Sequence, residues 1–267
     1  MNDAVHPARM VEVDYDPFAA PAIARVVPTT EAQREVWLAS QMGTEASLAY
    51  NESVSLKLVG PLDRDAMHQA LHALCVRHEA LRATIDADGT SISIAADPAL
   101  SVGDVDLGDL PESRRTDALE ALRREAVDTP FDLVAGPLFR AVLARCAPDR
   151  HELLLTAHHV VCDGWSMGVI ATELMRLYGA ALPGGPNAAL PGAGRFGDYA
   201  LAQASDARRD AADADARWWA AQYEASVPPL DLPTDRPRPA IRGFASRRED
   251  LTLERDLVDS VRRVGAN

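Results

Sequence analysis

The sequence has little cysteine and no long apolar run, and each shortage excludes a class of protein. Its three cysteines, Cys75, Cys146 and Cys162, are too few and too odd in number for a disulfide framework, and they fit a reducing cytosol. No run approaches the length of a membrane span, and residues 1–30 hold no stretch apolar enough for a signal peptide. We therefore expect a soluble cytoplasmic protein with no membrane partner.

Basic residues are also few relative to acidic residues. The chain carries 27 basic and 40 acidic residues, which gives a formal net charge of −13. Broad nucleic-acid binding requires a basic surface, so this balance argues against a nucleic-acid partner. Hydrophobic residues make up 47% of the 267 residues, enough to form the core of one large domain or two small ones.

Helical and strand patterns alternate along the chain, which predicts an α/β fold. Thr30 and Gln33 form the pattern of a capping box at the start of one helix. Apolar segments 138–145 and 152–157 predict an antiparallel pair of strands around a polar turn. Strands are also predicted at 51–60, 82–85, 91–95 and 247–253, and helices at 63–77, 114–127, 166–178, 198–224 and 254–264.

Composition divides the chain into three parts. Residues 1–27 read as a tail or incoming linker, and residues 28–181 as a compact unit. Residues 182–267 begin with a linker rich in Gly, Pro and Ala, include a helix, and contain five prolines between 228 and 239 that require an extended segment. A final βα pattern indicates only the start of another unit.

The chemistry concentrates where a strand, a loop and a helix meet. The run is His158, His159, Val160, Val161, Cys162, Asp163, Gly164. Asp163 and Gly164 suit a sharp turn, Ser166 can cap the helix after it, and free amides at a helix start favour negative charge. An imidazole beside such amides can move a proton while they stabilise an oxyanion.

From the residues alone, several interpretations of this run stay open. Adjacent side chains on an extended segment point to opposite sides, so only one of His158 and His159 can face a given cavity. The doublet can be catalytic, or a structural pair with satisfied nitrogens. Asp163 can orient a base or form a buried ion pair, and we favour the ion pair. A metal site is disfavoured because no second spaced His/Cys group completes four ligands.

Five segments in order resemble the condensation domains of nonribosomal peptide synthetases. The run at 158–164 resembles the His-His-x-x-x-Asp-Gly signature of these domains and their acyltransferase relatives, with Cys162 where Ser is common. Three further segments resemble core motifs of these domains: residues 30–38 the first motif, residues 77–85 the second and residues 196–200 the fourth. Residues 232–239 resemble the segment by which the family sequence continues. The resemblance runs from about residue 28 to the end.

This resemblance implies a chloramphenicol acetyltransferase-like two-layer sandwich lobe, followed by a linker and the incomplete start of a second similar lobe. Between two such lobes runs a tunnel that receives phosphopantetheine arms from a donor and an acceptor carrier protein. The implied activity is amide formation between a donor acyl thioester and an acceptor amine. The domain itself binds no cofactor or metal, and its other partners are the second lobe and an adenylation domain.

The resemblance also assigns residues. His159 is the catalytic group, as general base or as a positioning residue, and His158, Asp163 and Gly164 support it. Arg82, Trp165 and Ser166 are expected to be structural or to line the tunnel. Most of the second lobe is missing from the 267 residues, so we expect either a fragment or a chain completed by a partner.

Two other functions compete with this one. The first is a CoA-dependent acyltransferase of the same superfamily, and the second a non-catalytic domain that docks or recruits carriers. A cyclisation domain is disfavoured because such domains replace the histidine doublet with aspartates. The residues of the first motif resemble those of domains in mixed polyketide–peptide systems, which suggests an assembly line of that kind.

Overall fold

A computed structural model of the chain describes residues 22–224, 227, 230, 232–237, 239, 240, 243, 244, 246 and 251–266. The strands are β1 (Ile23–Pro28), β2 (Asn51–Val59), β3 (Ala83–Ile85), β4 (Ser91–Ala95), β5 (Ser101–Asp106), β6 (Phe139–Ala147) and β7 (Arg150–His158). The helices are α1 (Glu31–Ser40), α2 (Thr44–Leu48), α3 (Arg64–Arg77), α4 (Glu112–Asp128), α5 (Gly164–Ala181), α6 (Phe196–Gln203), α7 (Asp206–Gln222) and α8 (Arg255–Gly265).

The larger sheet has the strand order β2-β7-β6-β5. The predicted antiparallel pair is confirmed as β6 and β7, and β2 adds to the other side of β7 in antiparallel register. β5 runs parallel to β6, and the sequence did not predict it, because Gly103 and Asp104 interrupt its apolar pattern.

Helices α3 and α5 pack together against one face of this sheet and form the main core. Apolar residues recur at helical spacing along both helices, as the sequence predicts. The largest fully buried members are Met67, Leu71, Leu74, Phe139, Leu153, Leu155 and Leu174. Helix α4 contacts β2 and β7, and β7 is buried along almost its whole length. The strand that leads to His158 is therefore held rigidly.

A second cluster surrounds the smaller sheet, whose order is β1-β4-β3. Ile85, Ile92, Ile94, Leu138 and Val160 meet there, and Ala200 of α6 packs against them. Strand β1 begins within the segment 1–27 interpreted as a tail and ends at Pro28, and α6 lies inside the segment 182–267. The division of the chain into domains stays a prediction.

The C-terminal elements differ in detail from the prediction. The single helix expected at 198–224 is two helices, α6 and α7, which meet at Ala204 and Ser205. The helix expected at 254–264 is α8, which begins after Glu254. The strand predicted at 247–253 lies partly outside the described residues, and so does the extended segment 228–239. None of the helices in the described part of the chain has the length and apolar character needed to cross a membrane.

Candidate active site

The loop that carries the histidine doublet is fixed by contacts from three directions. The His158 amide donates to the Leu138 carbonyl at 3.0 Å and the His159 amide to the Tyr50 carbonyl at 2.8 Å. The Gln33 side chain donates to the Val160 carbonyl at 2.9 Å. Thr30 and Gln33 form the predicted capping box of α1, so the first motif both starts a helix and anchors this loop.

His158 points into the protein interior. Its side chain is fully buried, with the ring of Phe131 edge-on at 6.2 Å between centroids. The Val160 amide donates to His158 Nδ1 at 3.2 Å, which leaves the proton of the neutral ring on Nε2, 3.5 Å from Ser40 Oγ. Burial, with a smaller contribution from His159, lowers the pKa of His158 to about 4. The ring is therefore neutral at pH 7.

His159 faces the other way and stays accessible, with 39% of its side chain exposed. Its Nδ1 lies 2.7 Å from the Cys162 carbonyl oxygen, which can only accept, so Nδ1 carries a proton. In the neutral ring Nε2 then has a free lone pair. The doublet thus divides into one buried and one accessible ring, as expected for adjacent residues on an extended segment.

Cys162 contributes through its backbone. Its side chain is buried, and burial raises the pKa of the thiol to about 12, so no thiolate forms at neutral pH. Among the described residues no cluster of three or more His, Cys, Asp and Glu side chains is arranged to hold a metal.

Glu52 is a member of the site that sequence reasoning missed. Its Oε1 lies 3.5 Å from His159 Nε2, and 29% of its side chain is exposed. The sequence held one sign of Glu52, which was its position in the strand. Glu52 continues the alternating positions of Val54, Leu56 and Leu58, whose side chains pack on the main core. A charge at such a position departs from the pattern of a half-buried strand.

Asp163 does not form the buried ion pair expected from the sequence. Its side chain is exposed, and it is the N-cap of α5, accepting from the Ser166 amide at 2.8 Å and the Ser166 hydroxyl at 2.5 Å. These two bonds are the main reason why the pKa of Asp163 is lowered. Ser166 therefore lies in the first turn, and the capping role expected of it belongs to Asp163.

Gly164 opens α5 and does not use the backbone freedom of glycine, since its φ lies outside the positive region. The chain turns a few residues earlier, at 158–161, where the Val161 amide donates to the His158 carbonyl at 3.0 Å. A Cβ on Gly164 would meet nothing within 4 Å, and the same holds for Gly168 one turn later. Both line a groove of about 460 Å³ with Trp165, Val169 and Pro191, and Trp165 is 85% exposed.

The second resemblance motif connects elements of the lobe. Arg82 is half-buried and donates to the Ala95 carbonyl, which assigns it a structural contact. Arg77 and His78 contact Glu173 at 2.8 and 2.7 Å and tie α3 to α5.

The second and fourth motifs also touch each other. The Gly197 amide donates to Glu79 at 3.0 Å, and Arg25 lies between Glu79 and Asp198. A Cβ on Gly197 would lie 2.9 Å from the Arg25 guanidinium carbon, so a larger residue would displace Arg25.

A family model and curated proteins similar in sequence indicate the same family for this chain. The family model described as "Condensation domain" matches residues 23–267. Chondramide synthase cmdD of Chondromyces crocatus is 36% identical over 88% of this chain and 6% of its own length. Phosphinothricin tripeptide synthetase PhsC of Streptomyces viridochromogenes is 34% identical over 90% of this chain and 22% of its own length. The chain thus spans a small part of these relatives.

Solved structures agree on the fold. The starter condensation domain of rhizomide synthetase RzmA superposes with a TM-score of 0.61 at 26% identity, over 68% of this chain and 44% of that one. A mutant of the same domain in complex with C8-CoA and Leu-SNAC gives a TM-score of 0.70 at 25% identity, over 80% and 48%. The chain spans about half of each solved condensation domain. On the match of the family model to residues 23–267 and on these relatives, the chain belongs to the condensation domain family.

Proposed function

We propose that this chain is the donor-side lobe of a condensation domain in a nonribosomal or mixed polyketide–peptide assembly line, and that it forms an amide bond with His159 as the catalytic residue. The observation that carries this proposal is the His159 ring. Its Nδ1 donates to the Cys162 carbonyl at 2.7 Å, while Nε2 of the neutral ring offers its lone pair on an accessible side, 3.5 Å from Glu52. That arrangement presents one hydrogen-bond acceptor to a substrate.

The reaction joins a donor acyl thioester to an acceptor amine. The amine nitrogen attacks the carbonyl carbon, a C–N bond forms, and the C–S bond breaks. His159 Nε2 accepts a proton from that nitrogen and passes a proton to the departing sulfur, which becomes a thiol and leaves the ring neutral again. A ring fixed through Nδ1 also positions the nucleophile, which by itself accelerates a reaction between two bound partners.

The remaining motif residues support His159. His158 is the neutral, buried neighbour that secures the end of β7, and Asp163 caps α5. Gly164 leaves open space at the start of that helix, beside the groove lined by Trp165. The first turn of α5 has a partial positive charge, which favours negative charge on the carbonyl oxygen during attack.

The proposed partners are those of an assembly line. Donor and acceptor carrier proteins present their substrates on phosphopantetheine arms, and the domain binds no cofactor of its own. The second lobe completes the tunnel, and an adenylation domain loads the acceptor carrier. Residues 28–181 are the main part of the first lobe, extended by β1 and α6, and the proposed compartment is the cytoplasm.

A CoA-dependent acyltransferase is the second candidate. The observation that favours it is the bound C8-CoA of the solved RzmA domain. The two candidates differ in the donor that they use, because a carrier-dependent enzyme recognises the carrier surface as well as the arm. A non-catalytic docking domain would have no use for an accessible His159 that offers a lone pair beside Glu52.

The experiment supplies loaded donor and acceptor carriers to the purified chain, alone and with a separately produced second lobe. Mass spectrometry then follows the amide product. We expect product in at least one of the two reactions, with or without the second lobe. His159→Ala should lose that product, and the rate should be lower when the same acyl group is supplied on CoA. Equal rates with both donors would favour the CoA-dependent enzyme. A folded preparation that makes no product, either alone or with the second lobe, would contradict catalysis.

A further inference from the structure

Glu52 occupies a position where strand geometry brings it to His159. It pairs with Ala157 across β2 and β7. Side chains directly opposite each other lie on one face of a sheet, and residues two apart share that face. His159 follows Ala157 by two residues, so its ring lies diagonally beside Glu52. The register places this carboxylate at the reactive histidine.

The carboxylate has no other strong partner in the described part of the chain. Its ion-pairing contact there is His159 Nε2 at 3.5 Å, with no Arg or Lys beside it. Other inward-facing acids in the lobe are neutralised: Glu152 binds Arg123 at 2.7 Å, and Glu173 binds Arg77 at 2.8 Å. Glu52 therefore keeps a half-buried negative charge that is available to a ligand.

Two acceptors face each other in this pair. Since Nδ1 of His159 bears the proton, Nε2 of the neutral ring offers a lone pair, and the carboxylate oxygens only accept. A group placed between them must donate hydrogen bonds, and a positive charge on it is favoured by the carboxylate. A thiolate or an oxyanion would be repelled.

We propose that Glu52 is an acceptor-binding residue, whose carboxylate holds the amine of the acceptor substrate next to His159 Nε2. This inference rests on the proposed amide-forming function and specifies the acceptor as a group with a basic amine. An α-amine has a pKa near 8, so much of it is ammonium at neutral pH and is attracted to the carboxylate.

Glu52 also acts while the bond forms. When the neutral amine attacks the thioester carbonyl, its nitrogen becomes positively charged before it loses a proton to His159. A fixed carboxylate beside that nitrogen stabilises the developing charge. No bond to Glu52 forms or breaks, and the proton and sulfur balance is that of the proposed reaction.

The test compares an aminoacyl N-acetylcysteamine thioester with its α-hydroxyacyl counterpart, which has nearly the same shape but cannot become cationic. Binding of both is measured by titration calorimetry to the wild-type chain, Glu52→Gln and Glu52→Asp, in the preparation used for turnover. We expect Glu52→Gln to weaken binding of the amine about tenfold or more, with no change for the hydroxyl compound. Glu52→Asp should retain part of the amine affinity because it keeps the charge.

Kinetics add a readout that a structural role would not change. Glu52→Gln should raise KM for the acceptor and leave KM for the donor unaltered. Glu45→Gln, at an exposed position on α2, is the matched control and should match the wild type in every measurement.

The outcomes separate the two proposals. Equal losses for the amine and hydroxyl compounds, or no loss for either, would refute the role of Glu52. Selective loss of amine binding in a preparation that forms no amide would support the amine site and contradict the proposed reaction. Amide formation with an unchanged acceptor KM in Glu52→Gln would leave the reaction intact and overturn the inference.

Discussion

At the scale of single residues, the site depends on how two adjacent imidazoles are divided between the interior and the surface. His158 is surrounded by Tyr50, Phe131 and Ser40, whereas His159 is held through one nitrogen by a backbone carbonyl. The same side-chain chemistry therefore provides structure in one position and a free lone pair in the next. The difference arises from burial and hydrogen bonding.

The division predicts opposite effects for two alanine variants. His159→Ala should reduce amide formation by about a hundredfold or more, the usual scale for a positioned acid–base group, and leave the melting temperature nearly unchanged. His158→Ala should remove a buried ring and lower the free energy of unfolding by about 3 kcal/mol. Product formation and thermal melts of both variants, compared at equal folded concentration, check the assignment. If turnover of folded His158→Ala fell further than that of His159→Ala, the roles would be reversed.

Burial of His158 also predicts acid sensitivity. Its pKa falls from 6.5 to about 4 in the folded chain, so the unfolded chain binds the proton first as the pH drops. The stability associated with the neutral ring is fully present above pH 6.5 and is lost progressively down to pH 4, by about 1.4 kcal/mol per pH unit in mid-range.

Urea unfolding between pH 6.5 and pH 5 measures how steeply the free energy of unfolding falls as the pH drops. This range lies above the pH at which most carboxylates titrate. The slope should be smaller in His158→Gln, which cannot titrate. His151 also has a lowered pKa, caused mainly by burial, so His151→Gln is the matched control. A slope that disappears only in the control would assign the acid sensitivity to His151.

At the scale of elements, Asp163 connects the loop to α5 by capping the helix. Asp163→Ala should remove an acceptor for the Ser166 amide and destabilise the fold by about 1 kcal/mol. Asp163→Asn keeps an oxygen in the same place and should lose less. Denaturant unfolding of both variants measures the capping contribution, and a loss of about 3–5 kcal/mol, the cost of breaking a buried pair, would contradict it.

Local patterns predicted the elements well but not the contacts between them. The apolar run of β7 and the helical spacing of Ile170 and Leu174 identified the strand and helix around the doublet. Glu52 was missed because it reaches His159 through the register of β2 and β7, and register depends on pairing between distant segments. Asp163 was misassigned for the opposite reason: a carboxylate three residues before Ser166 has a local partner available, and the local bond formed.

At the scale of the whole molecule, the lobe is well packed while the C-terminal helices expose apolar side chains. On α7, Trp218 and Trp219 are each more than half exposed, and so is the adjacent Tyr223. On α8, Val261 and Val264 are 61% and 78% exposed. Exposed clusters of large apolar side chains mark an interface or drive association. In the proposed domain, such surfaces would contact further parts of the synthetase.

This exposure predicts that the 267-residue chain associates with itself in solution. Sedimentation velocity over a range of concentrations should show a concentration-dependent increase in average mass for the wild type. Replacing both Trp218 and Trp219 with Gln should reduce the association, because these are the large exposed apolar side chains within α7. Leu38→Gln, at a position 64% exposed on α1, is the matched control and should associate like the wild type. A wild-type chain that stays monomeric at its highest soluble concentration, or a double variant that associates just as strongly, would show that these aromatic residues do not form the contact surface.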